Sequence, residues 1–185
     1  MASGEGTNFS AVLEAIDRGV LDAKVSILVV NNEGCGARER ALSNGIPCIV
    51  HDHRDYGSRE LLDKQLVKTF SSYCVEGIIM AGWMRVVTNI IINEYKSRII
   101  NIHPSLLPSF RGFGAIKQAI EAEVKITGCS AHFVEESVDC GDLLVQSAVP
   151  VMEKDDVDIL RQRIQLEEHK ILPIAIGIAG SRWRN

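Results

Sequence analysis

No Cys-x-x-Cys pair occurs in this chain, and its five cysteines, Cys35, Cys48, Cys74, Cys129 and Cys140, form an odd set. That speaks against a disulfide frame and for free thiols in a reducing, cytoplasmic setting. No apolar run is long enough to span a bilayer, and no basic segment followed by an apolar one opens the chain. The most apolar late stretch, Ile171 to Ala179, is short and holds Pro173 and Gly177. Positive charge is not in excess either. Twenty Lys and Arg stand against 24 Asp and Glu, a net of −4, which removes any broad attraction to nucleic acid or to an anionic membrane. Repeats, low-complexity tracts and linkers are missing as well. With 185 residues, one domain spanning 1–185 with a substantial core is the expectation.

What the chain does contain is an alternation of apolar strands and amphipathic helices. Lys24 to Val30, Pro47 to Val50, Val75 to Met80, Ile99 to Ile102, Ile126 to Glu135 and Leu143 to Val151 read as strands, several rich in β-branched residues. Asn8 to Arg18, Ala37 to Asn44, Ser58 to Ser72, Thr88 to Tyr95 and Ala115 to Ala122 read as helices, and Asp155 or Asp156 can cap a last one. Strands alternating with helices predict an α/β fold with a mostly parallel twisted sheet and helices on both faces. In such sheets ligands bind beyond the carboxyl ends of the strands.

The stretch Ile99-Ile-Asn-Ile-His-Pro-Ser-Leu-Leu-Pro108 fits that rule best. Side chains two apart on a strand share a face, so Asn101 and His103 emerge together, and Pro104 and Pro108 stiffen the loop that follows. An amide donor beside a titratable ring suits acyl chemistry; a polar pair bonded to the backbone inside a core is the plainer alternative. Upstream, Ser3-Gly-Glu-Gly-Thr-Asn8 is a Gly-rich turn opening a helix, whose free N–H groups suit a phosphate, although a simple tight turn would look the same. The run His51-Asp52-His53 has neither a zinc-finger nor an H-E-x-x-H spacing, so it reads as a solvated loop and no metal is expected.

Taken together, Ser3–Asn8, Ala81-Gly-Trp-Met-Arg85, Asn101–Pro108, and Ser130-Ala-His-Phe-Val134 followed by Val138-Asp139-x-Gly141 resemble the phosphoribosylglycinamide formyltransferase family, in the family's order and over nearly the whole chain. The resemblance implies a Rossmann-like formyltransferase fold. It also implies transfer of a formyl group from 10-formyltetrahydrofolate, as co-substrate, to glycinamide ribonucleotide in purine synthesis. It assigns Asn101, His103 and Asp139 to catalysis, Gly6, Thr7, Asn8 and Glu168 to the ribonucleotide, and Arg59, Met84, Arg85, Val86, Val87 and Asn101 to the folate. His132 and Ser130 would lie beside the site. Partners would be small molecules, without nucleic acid or membrane, on a monomer or homodimer.

The family places an apolar first strand before the Gly-rich loop, whereas here only Met1 and Ala2 precede it. Either the start is assigned too late or the chain lacks that strand, and in the second case the sheet would carry a gap or an edge. Related folate enzymes share the Asn-x-His…Asp core. A formyltetrahydrofolate hydrolase, a methionyl-tRNA formyltransferase-like enzyme or a non-catalytic folate- or nucleotide-binding module are the alternatives.

Overall fold

Residues 1–184 are described by a computed structural model. In chain order the elements are α1 (Thr7–Asp17), β1 (Leu28–Val30), α2 (Gly36–Ser43), β2 (Cys48–Val50), α3 (Arg59–Ser72), β3 (Ile78–Met80), α4 (Asn89–Glu94), β4 (Ile99–His103), α5 (Ala115–Glu121), β5 (Ile126–Phe133), β6 (Leu143–Pro150) and α6 (Val157–Arg184). β1 and β2 form one parallel pair, and β3, β4, β5 and β6 form a second sheet in that order. The β3–β4 pair is parallel, while β4–β5 and β5–β6 run antiparallel. The parallel α/β alternation expected from the pattern therefore governs the N-terminal half, and an antiparallel extension completes the sheet.

Met1 and Ala2 lie in the seam between the two sheets. Ala2 forms a parallel bridge with Val30 and donates to the Val29 carbonyl at 3.0 Å. On the other side, the Met1 amine donates to the Ile79 carbonyl at 2.6 Å, and Ala81 N–H donates to the Met1 carbonyl at 2.9 Å. The amine is buried, and loss of hydration lowers its pKa to about 5. Beside Met1 a groove of about 600 Å³ runs between Val25–Leu28 and Val75–Ile79. Lys24–Ile27, expected in β1, lie outside it.

Two apolar cores sit on opposite faces. One gathers Ala2, Leu28, Val30, Ile100 and Ile102 under α1, α2, α5 and α6. The other gathers Met1, Val29, Ile78, Met80 and Ile99 under α3 and α4. Neighbouring residues fall in opposite cores, as the period of two requires. The last helix passes through Pro173 and continues to Arg184. Near its end the Trp183 ring lies over Gly77, where an added Cβ would come within 2.3 Å of it, and the indole N–H donates to the Ser97 carbonyl at 2.8 Å. His51 departs from the solvated-loop reading. It is buried, with Nδ1 2.8 Å from the Tyr56 hydroxyl and Nε2 2.9 Å from Thr69 Oγ1.

Ile100 of β4 is fully buried. Ile100→Ala is expected to lower unfolding free energy by about 2–5 kcal/mol, measured by denaturant titration.

Candidate active site

β4 lies between β3 and β5, so its exit is fixed from both sides. Asn101 stands opposite Met80 on one neighbour and His132 on the other, and His103 opposite Ser130. Beyond β4 the chain is held by Ser130, whose hydroxyl donates to the Ser105 carbonyl at 2.6 Å and accepts from Leu107 N–H at 3.0 Å. Gln146 reinforces this by donating to Ser130 Oγ and to the Leu107 carbonyl. The loop after the strand is thereby ordered by β5 and β6.

Asp139 meets this exit from the loop after β5. One carboxylate oxygen is 3.2 Å from His103 Nδ1, and the other is 3.5 Å from His132 Nε2. The first also accepts the Gly112 N–H at 2.9 Å. Burial works against the charged form, but the hydrogen bonds from His132 and Gly112 and the nearby histidines prevail and hold the Asp139 carboxyl below the usual range. The residue has a positive φ of 52°, which aspartate tolerates better than most. Two residues on, Gly141 lies against the end of β5, where an added Cβ would be 2.0 Å from the Phe133 carbonyl oxygen. That contact is the physical reason for glycine in the Asp-x-Gly stretch.

The histidines differ in role. His132 is buried in β5; its Nδ1 donates to the Phe133 carbonyl at 2.7 Å, and its Nε2 is 3.4 Å from the Asn101 amide nitrogen. His103 has Nε2 2.8 Å from the Phe110 carbonyl and Nδ1 on Asp139. Both of its ring nitrogens face acceptors, an arrangement satisfied fully by a doubly protonated ring. Donor groups from Asn101 and His103 thus sit together with a carboxylate fixed behind them, which suits stabilisation of an oxyanion and transfer of a proton.

The Gly-rich turn forms the start of α1. Gly6, the residue before the helix, has φ 75°, and an added Cβ would meet the Ala37 Cα at 2.6 Å, so α2 packs directly against the turn. Arg40 of α2 donates to the Glu5 carbonyl at 2.7 Å and to Ser10 Oγ at 3.1 Å. From α6, Gln165 donates to Thr7 Oγ1 at 2.7 Å, and Glu168 accepts from the Asn8 amide at 2.8 Å. Glu168 is buried, which pushes its carboxyl above the usual range against the opposing bond from Asn8. Asn8 is itself buried, and among the described residues its Oδ1 has no hydrogen-bond partner. An unpaired buried amide oxygen at a helix N-terminus is a position where a ligand donor would be accommodated.

Residues 1–176 match the formyl transferase family model. The chain is 35% identical over 175 residues to phosphoribosylglycinamide formyltransferase of Bacillus subtilis, covering 95% of this chain and 90% of that protein. Its structure is similar to that of phosphoribosylglycinamide formyltransferase from Bacillus halodurans, with a TM-score of 0.92 and 37% identity over 95% of this chain and 91% of that one. Glycinamide ribonucleotide transformylase 1 from Symbiobacterium toebii gives 0.95 and 40% over 98% and 86%. The chain belongs to the phosphoribosylglycinamide formyltransferase family. It is also 39% identical over 181 residues to the trifunctional purine biosynthetic protein adenosine-3 of Gallus gallus, covering 98% of this chain and 18% of that protein. It spans less than a fifth of the trifunctional relatives it matches.

Against this formyltransferase family, the residues singled out in the sequence divide into groups. Asn101, His103 and Asp139 come together, as do Gly6, Thr7, Asn8 and Glu168. Met84, Arg85 and Val86 lie on the connection between β3 and α4, with Met84 and Val86 exposed. Val87 departs from them: its side chain is buried in the second core, leaving only its backbone for a ligand. Arg59 is exposed at the first turn of α3, and its charge acts on Asp63 one turn later. Asp63 in turn accepts the Thr88 N–H at 2.5 Å, so α3 borders the connection. Sequence reasoning missed Gln165, Arg40 and Asp63, and placed His132 only beside the site although it contacts both Asn101 and Asp139. The Gln165 and Glu168 spacing of three, one helical turn, was the available signal for Gln165.

The folded pKa of Asp139 lies below that of the unfolded chain. Its carboxylate therefore contributes stability that is complete above about pH 4 and is lost as the pH falls through the lower folded value. Asp139→Asn is expected to flatten the dependence of melting temperature on pH between about pH 5 and pH 3, measured by thermal denaturation against the parent chain.

Proposed function

We propose that the chain transfers the formyl group of 10-formyltetrahydrofolate to the amine of N1-(5-phospho-D-ribosyl)glycinamide, giving the N-formyl product and tetrahydrofolate. The amine lone pair attacks the formyl carbon, and the new C–N bond forms as the carbonyl oxygen takes up charge. The Asn101 amide and His103 donate to that oxyanion. Asp139 holds the His103 donor in register, and His132 in turn holds Asp139. The proton lost by the amine passes through His103 to N10 of the folate as the C–N10 bond breaks, so no covalent enzyme intermediate is needed. His103 Nε2 exchanges the Phe110 carbonyl for the reacting oxygen at this step. Gly6, Thr7 and Asn8 hold the phosphate and Glu168 the ribose. Arg59, Met84, Arg85, Val86, Val87 and Asn101 line the folate side, where Arg85 can pair with a carboxylate.

The single observation that carries this reading is Asp139 held between His103 and His132 at the exit of the strand bearing Asn101. The same reading assigns small-molecule substrates, a single domain over 1–185 and a cytoplasmic setting, with which five free thiols agree.

His103→Ala and Asp139→Ala are each expected to lower kcat by about 10²–10⁴-fold while ribonucleotide affinity stays within a few-fold. The check is turnover of 10-formyltetrahydrofolate with and without glycinamide ribonucleotide, beside calorimetric binding of the ribonucleotide. Folate turnover that ignores the amine would show a hydrolase, and folate binding without turnover would show a binding module.

A further inference from the structure

One residue joins the Gly-rich turn to the connection between β3 and α4. Ser3 immediately precedes Gly4, whose carbonyl accepts Ala37 N–H from α2 at 3.1 Å. Its own N–H donates to the Gly82 carbonyl at 3.1 Å, and its hydroxyl accepts the Met84 N–H at 2.9 Å. Gly82 has φ 84°, so the chain turns sharply between these two contacts. The far end of the connection is tied by Asp63 to Thr88 N–H. Met84, Arg85 and Val86 are thus suspended between two anchors, one of them a side chain at the mouth of the opposite substrate loop.

We propose that Ser3 is a positioning residue for the formyl donor and couples the two substrate sites. This rests on the reading of 84–87 as the folate side and of Gly6–Asn8 as the ribonucleotide side. The hydroxyl fixes where Met84 begins, and hence where the donor-binding segment starts. A ribonucleotide that orders Gly6–Asn8 also orders Ser3, three residues before Gly6, and so lowers the cost of ordering Met84–Val86. By thermodynamic reciprocity the donor then favours the ribonucleotide by the same factor. Ser3 touches neither reacting atom, and its main-chain bond to Gly82 survives removal of the hydroxyl. The effect should therefore fall on donor affinity and leave the rate at saturation largely intact.

The experiment uses the full chain as Ser3→Ala and Ser3→Thr beside the parent. Steady-state kinetics are run with both substrates, and tetrahydrofolate binding is measured by calorimetry with and without glycinamide ribonucleotide. Ser3→Ala is expected to raise the donor KM about three- to tenfold, the worth of one hydrogen bond at a loop, with kcat and the ribonucleotide KM within about twofold. The parent should bind tetrahydrofolate more tightly when the ribonucleotide is present, and Ser3→Ala should abolish that gain. Ser3→Thr, which keeps a hydroxyl, should restore both. Unchanged donor KM and coupling in Ser3→Ala overturn the proposal, as does a parent without coupling. A uniform loss of kcat and both affinities that tracks a lower melting temperature also overturns it, since that is a structural role alone. Parent turnover secures the functional reading separately, so a failure at Ser3 leaves that reading standing; a parent without turnover overturns both.

Discussion

Backbone hydrogen bonds from Met1 and Ala2 to both neighbours hold this sheet together across its middle. On one side they reach Val29 and Val30, on the other Ile79 and Ala81. These few bonds set the relative position of the β1–β2 pair and the β3–β6 sheet, and both candidate substrate segments depart from them. The Gly-rich turn leaves through Gly4, and the connection carrying Met84–Val87 leaves through Ala81. A shift at the seam would therefore move both segments relative to β4. The side chains repeat the division, with Met1 in one core and Ala2 in the other, so the seam is pinned by packing as well as by hydrogen bonding.

The chemistry at the end of β4 depends on a carboxylate that would be costly to bury alone. Asp139 meets that cost with two imidazoles and one backbone N–H, which arrive from β4, β5 and the loop after β4. Because the partners come from separate elements, the carboxylate also locks those elements to one another. Glu168, also buried, accepts from the Asn8 amide, and burial pushes it the opposite way. Asp139 and Glu168 thus face opposite situations, the first among several hydrogen-bond donors that outweigh burial, the second where burial outweighs one donor.

Much of this arrangement was legible in the sequence where a short-range rule applied. The period of two brought Asn101 and His103 to one face, and the turn chemistry of Gly4 and Gly6 placed the start of α1 within one residue. Asp139 carried no such mark, because an Asp-x-Gly turn is common; only the family motif singled it out. The links made by Ser3 to Met84 and by Asp63 to Thr88 span 81 and 25 residues, and no local pattern encodes them. The antiparallel entry of β5 was equally hidden, since a helix between two strands ordinarily signals a parallel crossover. Pro173 shows packing overriding a local rule. A proline usually ends a helix, but here it is buried with Leu172 and Ala175, and packing against the sheet outweighs the lost hydrogen bond.

The two indoles of this chain occupy mechanically different places. Trp83 is buried in the second core, within the connection that leads to Met84. Trp183 rides on the last turns of α6, stacked over Gly77 and tied to the Ser97 carbonyl. Removing either one leaves a single indole for selective excitation, reporting in one case the seating of the substrate-side connection and in the other the docking of the C-terminal helix. The molecule thus carries its own optical labels at the two ends of its working machinery, with no dye to be attached.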